Sequence, residues 1–214
     1  MRPGASHGPR SAPAQDARRV GAAALALGAL LLLSHPTHAL GSWTLRAEGQ
    51  VGAPVAPSDF VDAWKSGCGL GGSLCRSIGD RVQLGISADG LQFGYKGGSE
   101  IIGGTRRFGR VTIPLRILAW EHPGSHRSQL VLESGAGYVH ESTESISGIS
   151  RPSKPERSDG FAYQVGCSLS RILYRGTRVF LGVRYTQNRL PDQSLAHIAV
   201  LFGAQMPLEG SRPR

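Results

Sequence analysis

The chain has 214 residues, with 24 Lys and Arg against 15 Asp and Glu, a formal net charge of +9 and a sequence pI near 10.2. Lys65, Lys96 and Lys154 are the only lysines, so Arg carries nearly all of the positive charge, scattered along the chain instead of gathered into the basic stripe that nucleic-acid binding uses. The scatter and an export signal argue against a nucleic-acid partner, and the length argues against two ordinary domains.

At the amino terminus, Arg10, Arg18 and Arg19 precede an uninterrupted apolar stretch from Val20 to Leu33. Thr37 and Ala39 then place small residues where a signal peptidase reads. Residues 1–39 are expected to be a cleavable signal peptide, cut after Ala39. The apolar run is short for a bilayer span, and no cysteine follows the cut to carry a lipid anchor. Residues 40–214 are left as one domain.

Apolar and polar residues then alternate in long runs, and eight strands are expected, at Ser42–Val51, Gly67–Ile78, Arg81–Tyr95, Arg110–Trp120, Gln129–His140, Gly160–Tyr174, Arg178–Thr186 and Leu195–Leu208. The connections alternate in length. Short turns fall at 78–80, 121–126 and 174–177, and longer segments at 54–66, 96–109, 141–159 and 187–194. Such sorting puts all long loops on one side, as in an all-β, eight-stranded antiparallel up-and-down transmembrane β-barrel. Alternation alone also fits a soluble periplasmic β-sandwich binding protein turned inside out, which is the rival architecture.

Two residue classes favour the barrel. Gly85, Gly94, Gly135, Gly137, Gly166, Gly182 and Gly203 are assigned to the polar face, where a wet sheet would use better strand formers and a narrow lumen needs small residues. Tyr95, Tyr138, Phe161, Tyr163 and Tyr185 gather toward the long-loop ends, where an interfacial aromatic girdle belongs.

The stretches PSDFVDAWKSGCGLGGSL (57–74), VTIPLRILAW (111–120), ESGAGYVH (133–140) and DGFAYQVGCSL (159–169) resemble the small outer-membrane β-barrel domain proteins of the OmpA and OmpX type. The resemblance covers nearly all of residues 40–214. It implies an eight-stranded barrel in the outer membrane of a diderm bacterium, without an enzymatic activity defined for most members. Such barrels commonly end on a terminal aromatic, whereas here Phe202 is followed by Pro207 and the polar residues 209–214.

On this reading the inward charges Arg46, Glu48, Arg116, Glu133 and Arg184 pair across a lumen narrow enough to be filled by side chains. The expected role is structural or surface-interacting, with a narrow gated pore as an alternative. A lipid A-modifying hydrolase is a further alternative, in which His140 and Ser142 would act with a carboxylate from Glu141, Glu144 or Glu156. No catalytic, cofactor or metal site is expected: Cys68, Cys75 and Cys167 do not have zinc spacing, and Cys68 and Cys75 lie too far apart along one strand for a disulfide. Expected partners are outer-membrane lipid, the barrel-insertion machinery and an extracellular ligand at 141–159, for a monomer.

Overall fold

The computed structural model describes residues 42–96, 101–122, 128–147, 151–152, 156–174 and 176–208. The export signal expected at 1–39 and the residues after Leu208 lie outside the described residues. Eight strands form the wall: β1 (Trp43–Ala56), β2 (Trp64–Ile78), β3 (Val82–Tyr95), β4 (Ile101–Glu121), β5 (Ser128–Ser147), β6 (Glu156–Tyr174), β7 (Thr177–Arg189) and β8 (Ser194–Pro207). One six-residue helix, α1 (Ser58–Ala63), joins β1 to β2. Arg151–Pro152 is a two-residue extension that pairs only with the end of β5.

Each strand pairs antiparallel with its sequence neighbours and β1 closes onto β8, so that among the described residues every wall strand has a partner on both sides. Closure is a physical requirement in lipid, where an open edge would expose a row of backbone donors and acceptors with no water to satisfy them. The tight turns after β2 and β6 carry Gly79 and Gly176 at φ of +72° and +83°, a left-handed conformation that a side chain would strain.

The outer wall is apolar. Leu45, Val51, Leu132, Val165, Leu169, Leu181, Val200 and Phe202 are all exposed, and with their neighbours they make a broad apolar belt of a size that water-soluble proteins rarely expose. From Leu130 to Tyr138, β5 rises about 26 Å along its axis, or about 20 Å of depth at a 40° tilt, close to the apolar band of an outer-membrane barrel. Trp120 lies at one margin of the belt, and Tyr138, Phe161, Tyr163 and Tyr185 lie on the outer face at the other, whereas Tyr95, expected with them, shares the inward parity of Leu91 and Phe93 and packs on Trp64.

Four expectations are corrected here. The segments 96–109 and 141–159 are largely strand, because β4 begins at Ile101, β5 continues to Ser147 and β6 begins at Glu156. Beyond the bilayer the outer face of a strand becomes wet, so the apolar alternation fades while backbone pairing continues. The segment 54–66 is likewise shortened by strand at both ends and contains α1. Gly94 faces outward, since Leu91 and Phe93 on the same strand are the buried inward residues, whereas Gly85, Gly137, Gly166, Gly182 and Gly203 do point inward. At Gly137 and Gly203 an added Cβ would run into the backbone of the neighbouring strand, at Val111 and Ala47.

Candidate functional site

Inward-facing residues fill the barrel in layers. Strands β1, β4, β5 and β7 bring Arg46, Glu48, Arg116, Glu133 and Arg184 into one buried layer, all five of the residues expected there from alternation. Glu133 is its centre: one carboxylate oxygen accepts from Arg116 Nε at 2.7 Å and from Arg46 Nη1 at 3.4 Å, and the other accepts from Arg184 Nη2 at 2.9 Å. Glu48 bridges Arg46 at 3.1 Å and Arg184 at 2.7 Å. Arg116 also donates to Ser73 Oγ at 2.8 Å and Cys75 Sγ at 3.1 Å, and the Arg46 guanidinium lies 3.6 Å over the Phe180 ring. Three guanidinium groups and two carboxylates therefore cross-link strands from around the wall.

Toward the outer mouth comes a second polar layer that alternation did not single out. Arg110 pairs with Asp89, donating from Nε at 2.9 Å, and its Nη1 lies 2.8 Å from His197 Nε2. A guanidinium has no acceptor, so Nε2 of His197 accepts. Gln50 donates to the same Asp89 carboxylate at 3.1 Å. Arg106, Arg110 and Arg116 share one parity along β4, which is the signal that finds them; only Arg116 lay inside the expected network.

Above this the lumen turns apolar. Phe60 of α1 tucks into the barrel against Phe93 and Phe108 at centroid distances of 5.4 and 6.4 Å, with Trp64, Leu91, Val139 and Leu195 around them. The helix is anchored from the strands, since Lys96 Nζ donates to Val61 O at 2.5 Å. At the mouth itself Arg106 pairs with Glu141, beside a polar cavity of about 570 Å³ that Thr143, Glu156, Ser158 and Asp192 also line.

On the outer wall, His140 and Ser142 stand on the same face of β5. The carboxylate beside His140 is none of the three candidates: Glu141 points inward to Arg106, and His140 Nδ1 donates at 2.6 Å to Asp159 of β6, which also accepts from the Tyr138 hydroxyl. Among the described residues Ser142 makes no hydrogen bond to His140. The three cysteines are free, with Cys75 buried in the lumen and Cys68 and Cys167 exposed.

No protein-family model matches the chain, and no curated protein matches it. Solved structures do. Neisserial surface protein A superposes with a TM-score of 0.56 at 11% identity, covering 79% of this chain and 99% of that one. Ail, the attachment invasion locus protein of Yersinia pestis, superposes with a TM-score of 0.53 at 14% identity over 78% of this chain and 99% of that one, in a complex with the heparin analogue sucrose octasulfate. Closed antiparallel pairing, an apolar outer wall and these two likenesses together give the chain the fold of the small eight-stranded outer-membrane β-barrels, the architecture its sequence resembles.

Proposed function

We propose that this protein is a sealed surface barrel of the outer membrane, non-enzymatic, that meets the exterior with the extended ends of β4, β5 and β6. The observation that carries this reading is the occupied lumen. The Arg46, Glu48, Arg116, Glu133 and Arg184 layer spans the interior, and the Phe60, Phe93 and Phe108 cluster stops it above, so no continuous aqueous path is needed to satisfy the inward face. The polar mouth around Arg106, Glu141 and Glu156 is where an extracellular ligand engages, within the stretch 141–159. Ail, with the same fold, was solved with the heparin analogue sucrose octasulfate, and that makes glycans the ligand class to examine first.

Planar-bilayer recording tests the seal. The purified, refolded barrel is expected to give no discrete openings in molar salt over an extended voltage range. Reproducible unitary steps would replace the sealed reading with the narrow gated pore.

A further inference from the structure

Between β2 and β6 the apolar belt of the outer wall is interrupted, and the chemistry there is complementary to a lipid. Three rows of outward residues run across the strands by register. The middle row reads Leu70, Gly90, Gly109, His140, Asp159 from β2 to β6. Two adjacent glycines there leave the wall without side chains. A Cβ at Gly109 would meet nothing within 4 Å, and one at Gly90 would meet only a backbone oxygen at 3.7 Å. The result is a depression of about 440 Å³ walled by Leu70, Ala88, Val111 and Tyr138, with His140 at its upper end. Leu70, 76% exposed, stands at one side as a ridge.

The row above, toward the exterior, reads Cys68, Gln92, Arg107, Ser142, Arg157. Arg107 is exposed and held by Gln92, whose Oε1 accepts from its Nε at 2.9 Å. Arg157 is exposed two strands away, about 10 Å across the sheet, with the Ser142 hydroxyl between them. Among the described residues no carboxylate lies within ion-pair distance of either guanidinium. Below that level His140 is hydrogen-bonded to Asp159, and the next row reads Ala88, Val111, Tyr138, Phe161, all compatible with acyl chains.

Two exposed guanidinium groups toward the upper margin of the apolar belt, above a smooth apolar depression, are complementary to one amphiphile. We propose that this part of the wall is a binding site for a phosphate-bearing acylated glycolipid of the outer leaflet, with its phosphate between Arg107 and Arg157 and one acyl chain laid over Gly90 and Gly109. Guanidinium groups suit phosphate because their planar donors engage two oxygens at once. The proposal rests on the outer wall facing lipid, and it goes beyond that reading by assigning a headgroup charge and a location.

Native mass spectrometry of the folded full-length barrel, released from detergent after incubation with diphosphoryl lipid A, dephosphorylated lipid A or phosphatidylcholine, tests it. The expected result is retention of diphosphoryl lipid A at least tenfold above the other two. The double variant R107Q/R157Q is expected to remove that preference, and Gly109→Leu, which fills the depression without altering charge, to weaken retention of diphosphoryl lipid A by a similar factor. Arg171→Gln, on the wall at the opposite end, is expected to leave it unchanged. Ala88→Leu serves if Gly109→Leu does not fold, judged by heat-modifiable migration. Equal retention of the three lipids, or a preference that survives R107Q/R157Q or the filled depression, overturns the site while leaving the barrel in the membrane; loss of heat-modifiable migration in the unmodified protein would instead overturn the membrane reading beneath it.

Discussion

Glu133→Gln is expected to lower the stability of the folded barrel by about 3–5 kcal/mol, the range for breaking a buried ion pair by removing one partner. The substitution keeps the shape of the side chain and removes its charge. Arg46, Arg116 and Arg184 all lean on that carboxylate, and only Glu48 would remain to oppose three guanidinium groups. Uncompensated positive charge in a narrow interior is costly, because neither bulk water nor a second anion is at hand to stabilise it. Equilibrium unfolding in guanidinium chloride from detergent or lipid vesicles measures the change. A loss below about 1 kcal/mol would mean that water, not the carboxylate, already holds those cations.

Leu181→Arg is expected to cost about 2–4 kcal/mol, the penalty for an arginine near the bilayer midplane on the lipid face of a barrel. Leu181 is 62% exposed on β7, between Arg178 near one margin of the belt and Tyr185 at the other. Exposure of this degree in water would make the change nearly neutral, since substitutions at solvated surface positions usually stay within about 0.5 kcal/mol. The same measured quantity therefore separates lipid from water as the medium around the wall. Unfolding of the variant in vesicles, compared with the unmodified barrel, provides it, and a change within the neutral range would put the outer wall in water.

The parts of this architecture that were readable in the sequence are those governed by a period of two inside the membrane. There one face meets lipid and the other meets the lumen, so Leu130, Leu132 and Tyr138 separate cleanly from Glu133 and Gly135, and the five-residue charged layer follows from parity alone. The upper barrel was less readable. Residues 101–109 and 141–147 are paired strand, yet both of their faces are polar or mixed, and their Gly, Ser and Thr content resembles that of loops.

The interior of that upper half was harder still. Leu91, Phe93 and Phe108 are apolar residues pointing inward, and the cluster they form is capped by Phe60 of α1; a six-residue helix after Pro57 is too short for its own periodicity to declare it. The His140 to Asp159 pair and the row linking Arg107 to Arg157 depend on the register of β5 against its two neighbours. Hydrophobic alternation constrains register only to within steps of two residues, so neither arrangement is written in any one strand.

A nitroxide scan along β7 from Arg178 to Arg189 in the reconstituted protein measures which face meets lipid. Oxygen accessibility in electron paramagnetic resonance is expected to peak at positions 179, 181, 183 and 185 and to fall at 180, 182, 184 and 186, with the peaks shielded from a water-soluble nickel reagent. High accessibility of the peak positions to the nickel reagent, or the loss of the two-residue period, would contradict a lipid-facing apolar wall around a charged, closed lumen.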